Sequence, residues 1–153
     1  MTTSARDCNS GGNFSRVEKL IKEHPKTIGE RSEAVILARL LLRGEVVLQP
    51  FGDNQRYDLV VDRGGQFLRI QCKTGRIING AVEFQSCSNA GGYSKRDYLG
   101  QIEMFAVYCQ SNDSVYLVPV EDAATRATRL RIDPPINNSA ISTVRWADEY
   151  VLK

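Results

Sequence analysis

The sequence predicts a mixed α/β domain in which one main helix packs on a sheet of short strands. Three observations predict it. Apolar residues recur three and four apart from Thr27 to about Arg43, the period of an amphipathic helix. Short runs rich in β-branched and aromatic residues follow, among them EVVLQ, YDLVVD, FLRIQCK and MFAVYCQ. The length of 153 residues, 42% hydrophobic and 25% charged, suits one domain with a sizeable core.

The elements follow in order. Residues 1–13 are polar and Gly/Ser-rich, and are expected to form a disordered tail ahead of a single domain over 14–153. Ser15 to Glu18 reads as a capping box opening a short helix to about His24, which Pro25 stops. Thr27 and Glu30 read as a second capping box for the main helix, and Gly44 as its C-terminal glycine. On that helix Glu33, Ile36, Leu37, Leu40 and Leu41 share one face, so Glu33 heads the stripe that packs on the sheet. An acid there is either a solvent-reaching side chain or a functional one. Glu45–Gln49 is a strand, and Pro50–Arg56 a polar loop. Tyr57–Asp62 and Phe67–Lys73 form a hairpin about Gly64-Gly65, and Ala81–Cys87 is the next strand. The loop 89–98 precedes a short helical turn near Leu99–Ile102. Strands Met104–Gln110 and Ser114–Val120, a short helix Val120–Arg126, a strand Thr128–Ile132 and an amphipathic tail Val144–Leu152 complete the chain.

Several function classes are disfavoured. The only histidine, His24, is misplaced for a Cys/His zinc site or a Ser-His-Asp triad. Cys8, Cys72, Cys87 and Cys109 form no CxxC pair and read as free structural thiols. No phosphate-binding glycine loop is present. No apolar run approaches the roughly 20 residues of a membrane helix, and the first residues lack the apolar segment of a secretory signal. A cytoplasmic protein, associated with the nucleoid when bound to DNA, is therefore expected. The net charge of +2 permits a local nucleic-acid patch without arguing for one.

The hairpin carries the chemistry. A symmetric turn sets Asp58 opposite Gln71, with Cβ atoms roughly 5 Å apart. Lys73 points to the same face, together with Arg69, Val60 and Phe67, while Leu59, Val61, Leu68, Ile70 and Cys72 line the other. Polar residues on one face of a hairpin are also what an ordinary half-exposed sheet carries. Asp58, however, begins an apolar strand where an acid has no propensity reason to stand.

These residues resemble the PD-(D/E)XK nuclease superfamily. Its motif is an acid, a gap, then an acid, any residue and a lysine across a hairpin. Asp58 matches the first acid, Gln71 stands at the second-acid position, Lys73 matches the lysine and Glu33 the helix glutamate. The stretches GERSEAVILARLLLRG, PFGDNQRYDLVVD, FLRIQCKTGR, MFAVYC and VYLVPVED are similar to the group I intron-associated homing endonucleases of that superfamily. The resemblance covers about residues 27–122. Glutamine occurs at the second-acid position in that branch.

The resemblance implies a restriction-endonuclease-like core in the order αβββαβ, a mixed sheet flanked by helices. It implies a Mg²⁺-dependent DNA endonuclease, with Mn²⁺ as a substitute. Asp58, Gln71, the Cys72 carbonyl and Glu33 would hold the metal, and Lys73 would assist an attacking water. Arg56, Arg76, Lys95 and Arg96 are candidate contacts to double-stranded DNA. A chain of this size is roughly 35–40 Å across, while a homing site of about 20 base pairs runs near 70 Å. A homodimer or homotetramer is expected on that ground. A junction resolvase or repair nuclease, and an inactive DNA-binding protein of the same fold, are the alternatives.

Overall fold

The computed structural model describes residues 23–52, 54–89, 95–134 and 144–153. The expected N-terminal tail and the helix opening at Ser15 lie outside these residues.

Helix α1 (Pro25–Leu42) begins two residues before the expected cap. His24 is the N-cap, its Nδ1 accepting from the Lys26 N–H at 3.2 Å, and Pro25 takes the first helical position. Proline starts a helix here, because its missing N–H is one that a first turn leaves unpaired anyway. Thr27 and Glu30 therefore lie inside the helix and form no cap. At the other end Gly44 adopts φ +79 and its N–H returns to the Leu41 carbonyl at 2.9 Å, as a C-terminal glycine does.

The buried stripe of α1 is Ser32, Ile36 and Leu40, with Val35 and Leu37 partly covered. Leu41 is 52% exposed, so the stripe is rotated from the one the spacing predicts. Ile36 and Leu40 are fully buried against Leu59, Val61, Ile70, Ala106, Tyr108 and Val115. Each such side chain contributes about 1.5–3 kcal/mol of transfer free energy.

The strands are β1 (Val46–Leu48), β2 (Leu59–Arg63), β3 (Gln66–Ile78), β4 (Ala81–Gln85), β5 (Ser88–Asn89), β6 (Lys95–Arg96), β7 (Met104–Cys109), β8 (Ser114–Pro119) and β9 (Ala127–Arg131). Seven of them form one mixed sheet, and β5 pairs β6 in a separate two-stranded ribbon. The long β3 is its spine. It pairs β2 antiparallel, then β7 in parallel over Ile70–Gly75, then β4 antiparallel over Arg76–Ile78. A side chain at Gly75 would place its Cβ 2.8 Å from Val82 Cγ1 and 2.9 Å from Val107 Cγ1. Glycine is thus required where β3 changes partner.

The second face of the sheet covers another core, which includes Val82, Phe84, Tyr98, Ile102, Phe105, Val107, Val118 and Leu130. The tail closes it: α2 (Ala147–Tyr150) buries Ala147, and Tyr150 and Val151 pack alongside. Between β4 and β7, where the αβββαβ order has its second helix, the described residues hold the β5–β6 ribbon and a turn over Leu99–Gln101. The helix expected over Val120–Arg126 is a single 3-10 turn, Val120–Asp122. Tertiary contacts override it: the Ser86 N–H takes the Arg126 carbonyl at 3.0 Å, and the Ser86 hydroxyl takes that of Ala124. Both carbonyls are thereby drawn away from a continuing helix.

Candidate active site

The hairpin has the register that its glycine turn dictates. Leu59 faces Ile70, Val60 faces Arg69 and Arg63 faces Gln66. One residue further, β2 parts from β3 at Asp58. The Asp58 N–H still donates to the Ile70 carbonyl at 2.9 Å. Its carboxylate then serves where backbone would otherwise pair. Oδ2 accepts the Cys72 N–H at 2.7 Å and the Gln71 Nε2 at 2.5 Å. A local splaying of two strands thus fixes the acid against its neighbours without any long-range contact.

Gln71 turns its amide nitrogen, not its oxygen, toward Asp58. The same nitrogen lies 3.4 Å from the Cys72 carbonyl oxygen, a long and weak contact. Two of the oxygens expected to hold a metal are therefore both faced by an N–H₂ group, the electropositive end of a neutral side chain. The expectation that the Gln71 oxygen lies beside Asp58 is corrected in this respect. A neutral amide satisfies the carboxylate best by donating to it.

Glu33 reaches the site from the helix side. It lines an open cavity of about 220 Å³ with Asp58, Tyr57, Gln55, Gly52, Pro50 and Gln49. Burial, and then the charge of Asp58, push its carboxyl above the usual range. Asp58 is raised too, chiefly by burial, and the Cys72 N–H, Lys73 and Gln71 only partly counter this. Burial and these two carboxylates together push the Cys72 thiol far up, so it stays a neutral thiol. Two partly desolvated carboxylates sharing one cavity fit a divalent cation, which neutralises both. Among the described residues no group of three or more His, Cys, Asp or Glu gathers in metal-binding geometry, so the acids offered here are the two carboxylates alone.

Lys73 lies on β3 opposite Val107 of β7. Its ammonium donates to the Tyr98 hydroxyl at 3.3 Å and lies 5.0 Å from the centre of that ring. Ser32 of α1 and Thr74 of β3 share a hydrogen bond at 2.7 Å, one residue from Glu33 and one from Lys73. Neither contact is legible in the sequence, because the partners are 25 and 42 residues apart and no local pattern joins them.

The four expected DNA contacts separate. Arg76 is exposed on β3, paired with Glu83 of β4, and Arg96 is exposed on β6. The backbone of Lys95 pairs with Asn89 in the ribbon. Arg56 turns inward. Its Nε donates to Gln101 Oε1 and its Nη1 to Ser88 Oγ, each at 2.5 Å, and its Nη2 donates to the Asp97 carbonyl at 2.7 Å. Its guanidinium also lies 4.1 Å from the centre of the Tyr98 ring.

An acid and a lysine across a strand hairpin, with a helix glutamate sharing the acid's cavity, define a class. A family model described as PD-(D/E)XK endonuclease matches residues 23–153, and the chain belongs to that family. It is accordingly a nuclease that hydrolyses DNA phosphodiester bonds. Among solved structures, the bacterial homing endonuclease I-Ssp6803I is similar in fold, with a TM-score of 0.61 and 20% identity over 84% of this chain and 86% of that one. No curated protein matches the sequence. No helix among the described residues is long and apolar enough to cross a membrane.

Proposed function

We propose that the protein is a Mg²⁺-dependent endonuclease of the homing type, acting on double-stranded DNA in the cytoplasm, at the nucleoid, as a symmetric dimer or tetramer. The observation that carries this reading is the shared cavity of Glu33 and Asp58 beside the Gln71–Lys73 strand. Both acids are raised by burial, and the second-acid position is filled by a neutral amide. The fold likeness to a bacterial homing endonuclease supports the type.

Asp58, Glu33 and the Cys72 carbonyl would hold the metal, and Gln71 would join them by turning its oxygen inward in place of the N–H₂ group that faces Asp58. When bound, Mg²⁺ supplies Lewis-acid polarisation of a phosphate oxygen and a lower pKa for an attacking water. The Cys72 N–H already orients Asp58, while the Gln71 N–H₂ group bonded to the same oxygen would give way to the metal. Lys73 has three N–H donors, and among the described residues it gives one of them to Tyr98. The remaining donors would orient the water and offset the charge developing on phosphorus. Arg76 and Arg96, both exposed, and Lys95 would contact phosphates or bases.

Self-association is supported by exposed apolar side chains on the sheet. Val46 of the edge strand β1 is 59% exposed and Phe67 of β3 57% exposed, and both pair with Asp62 from opposite sides.

The test is selection of cleaved molecules from a randomised duplex pool with Mg²⁺, run beside a four-way junction. Recovery of one near-palindromic duplex sequence is expected. Preferential junction cutting points to a resolvase instead. Retained DNA affinity with neither cleavage nor metal binding points to an inactive DNA-binding protein.

A further inference from the structure

Lys73 ends a flexible four-carbon stem, and an ammonium on such a stem has no preferred geometry of its own. A lysine that acts on one water or one phosphate oxygen must be held. The structure supplies a holder that the family motif does not contain. Tyr98 is 95% buried, being only 5% exposed, and its ring meets Phe105 edge-on at 5.4 Å and 85°. That contact fixes the ring plane from below, within the second core. Arg56 covers the ring, with its guanidinium over it 4.1 Å from the ring centre and all three of its nitrogens donating to Gln101, Ser88 and Asp97. The Tyr98 hydroxyl is thus a rigid acceptor, and it takes one N–H of Lys73 at 3.3 Å.

We infer that Tyr98 is a positioning residue for Lys73, held in turn by Arg56, and that this unit aims the remaining donors of the ammonium at the reacting phosphate. The inference rests on the reading of Lys73 as the lysine of a nuclease site. It also assigns Arg56 a task other than DNA contact. The turn at Leu99–Gln101, which stands where a core helix is expected, is part of the device. Through it Gln101 N–H closes on the Tyr98 carbonyl at 2.9 Å, and the Gln101 side chain meets Arg56.

The experiment compares wild type, Tyr98→Phe and Lys73→Ala on the duplex selected with Mg²⁺. Tyr98→Phe keeps the ring that packs on Phe105 and removes only the hydroxyl, and thermal melting checks that the fold is retained. The expected result is a fall in kcat of roughly 10- to 100-fold, the cost of a misplaced reacting group, with KM and Mg²⁺ affinity unchanged. Lys73→Ala is expected to be inactive. Wild-type kcat in Tyr98→Phe beside an inactive Lys73→Ala overturns the role of Tyr98 and leaves the lysine reading standing. Full activity of Lys73→Ala overturns both. A second measurement needs neither metal nor DNA: NMR of the Lys73 ammonium. Wild type is expected to show a resolved, slowly exchanging signal that Tyr98→Phe loses. An identical signal in both proteins overturns the proposal.

Discussion

The two sides of the site are built by opposite means. The hairpin side is local. Gln71, Cys72 and Lys73 lie on β3, Asp58 immediately precedes its neighbour β2, and a glycine turn sets the register of the pair. The other side is assembled over distance: Glu33 arrives on α1, Tyr98 on the connection before β7, and Arg56 from the loop before β2. Local construction tolerates change elsewhere in the fold, whereas distant construction depends on the packing of α1 and of the Tyr98 turn. Variants on the two sides should therefore differ in kind. On the hairpin side the chemistry itself is lost, and on the distant side its efficiency falls.

The largest effects belong to the hairpin. Asp58→Ala and Lys73→Ala should each lower cleavage by about 10³-fold or more, since each removes a group that acts on the reacting phosphate. DNA affinity, measured by fluorescence anisotropy, should change little. Undiminished cleavage by either variant removes the site from Asp58 and Lys73. Glu33→Gln, on the distant side, should cost less, about 10²-fold, because the neutral amide keeps an oxygen in the cavity. A loss equal to that of Asp58→Ala would place the two carboxylates on the same footing and erase the distinction.

This contrast also explains what could be read from the chain alone. The register of β2 and β3 was legible because period-two alternation about Gly64-Gly65 leaves one solution. The end of α1 was legible from Gly44. Its start was not, because Pro25 can precede a helix or close one and only packing decides. The spacing alone does not fix the facing of Leu41, because a spacing of four and one of three fit a helix equally well, while the sheet admits only the stripe through Ser32, Ile36 and Leu40. Arg56 reads as a surface cation beside the motif. Its three internal partners lie 32 to 45 residues away, beyond any local pattern.

Smaller effects sharpen the comparison further. Gln71→Glu adds a carboxylate to the hairpin side, so divalent-cation affinity should rise by roughly tenfold by calorimetry, as it does when ligand charge increases. Unchanged affinity would mean that Gln71 stays bonded to Asp58 and never meets the metal. The arginines should divide by salt dependence. Arg76→Ala should reduce the slope of log affinity against log salt by about one, the signature of one lost phosphate contact. Arg56→Gln should leave that slope unchanged while lowering the melting temperature and the cleavage rate.

The smallest effect is on stability. Glu33 and Asp58 both carry raised pKa values, so the folded protein holds their protons more tightly than the unfolded chain does. Their contribution to stability is therefore greatest below the ordinary carboxylate range and is lost as pH rises through the raised values. In a chelator, Asp58→Asn should melt higher than wild type at neutral pH, and the gap should close as the pH falls through the carboxylate range. A gap that widens on acidification would reverse the sign and mean that Asp58 is stabilised as a charge. Added Mg²⁺ should raise the melting temperature of wild type more than that of the variant, and more so at higher pH, because metal and protons compete for the same oxygens.

Calorimetry of Mn²⁺ binding to wild type and Asp58→Asn, both without DNA, tests the claim that Glu33 and Asp58 form a cation site. The expected result is saturable binding to wild type that Asp58→Asn abolishes. Either no binding to wild type or equal binding to both proteins contradicts it.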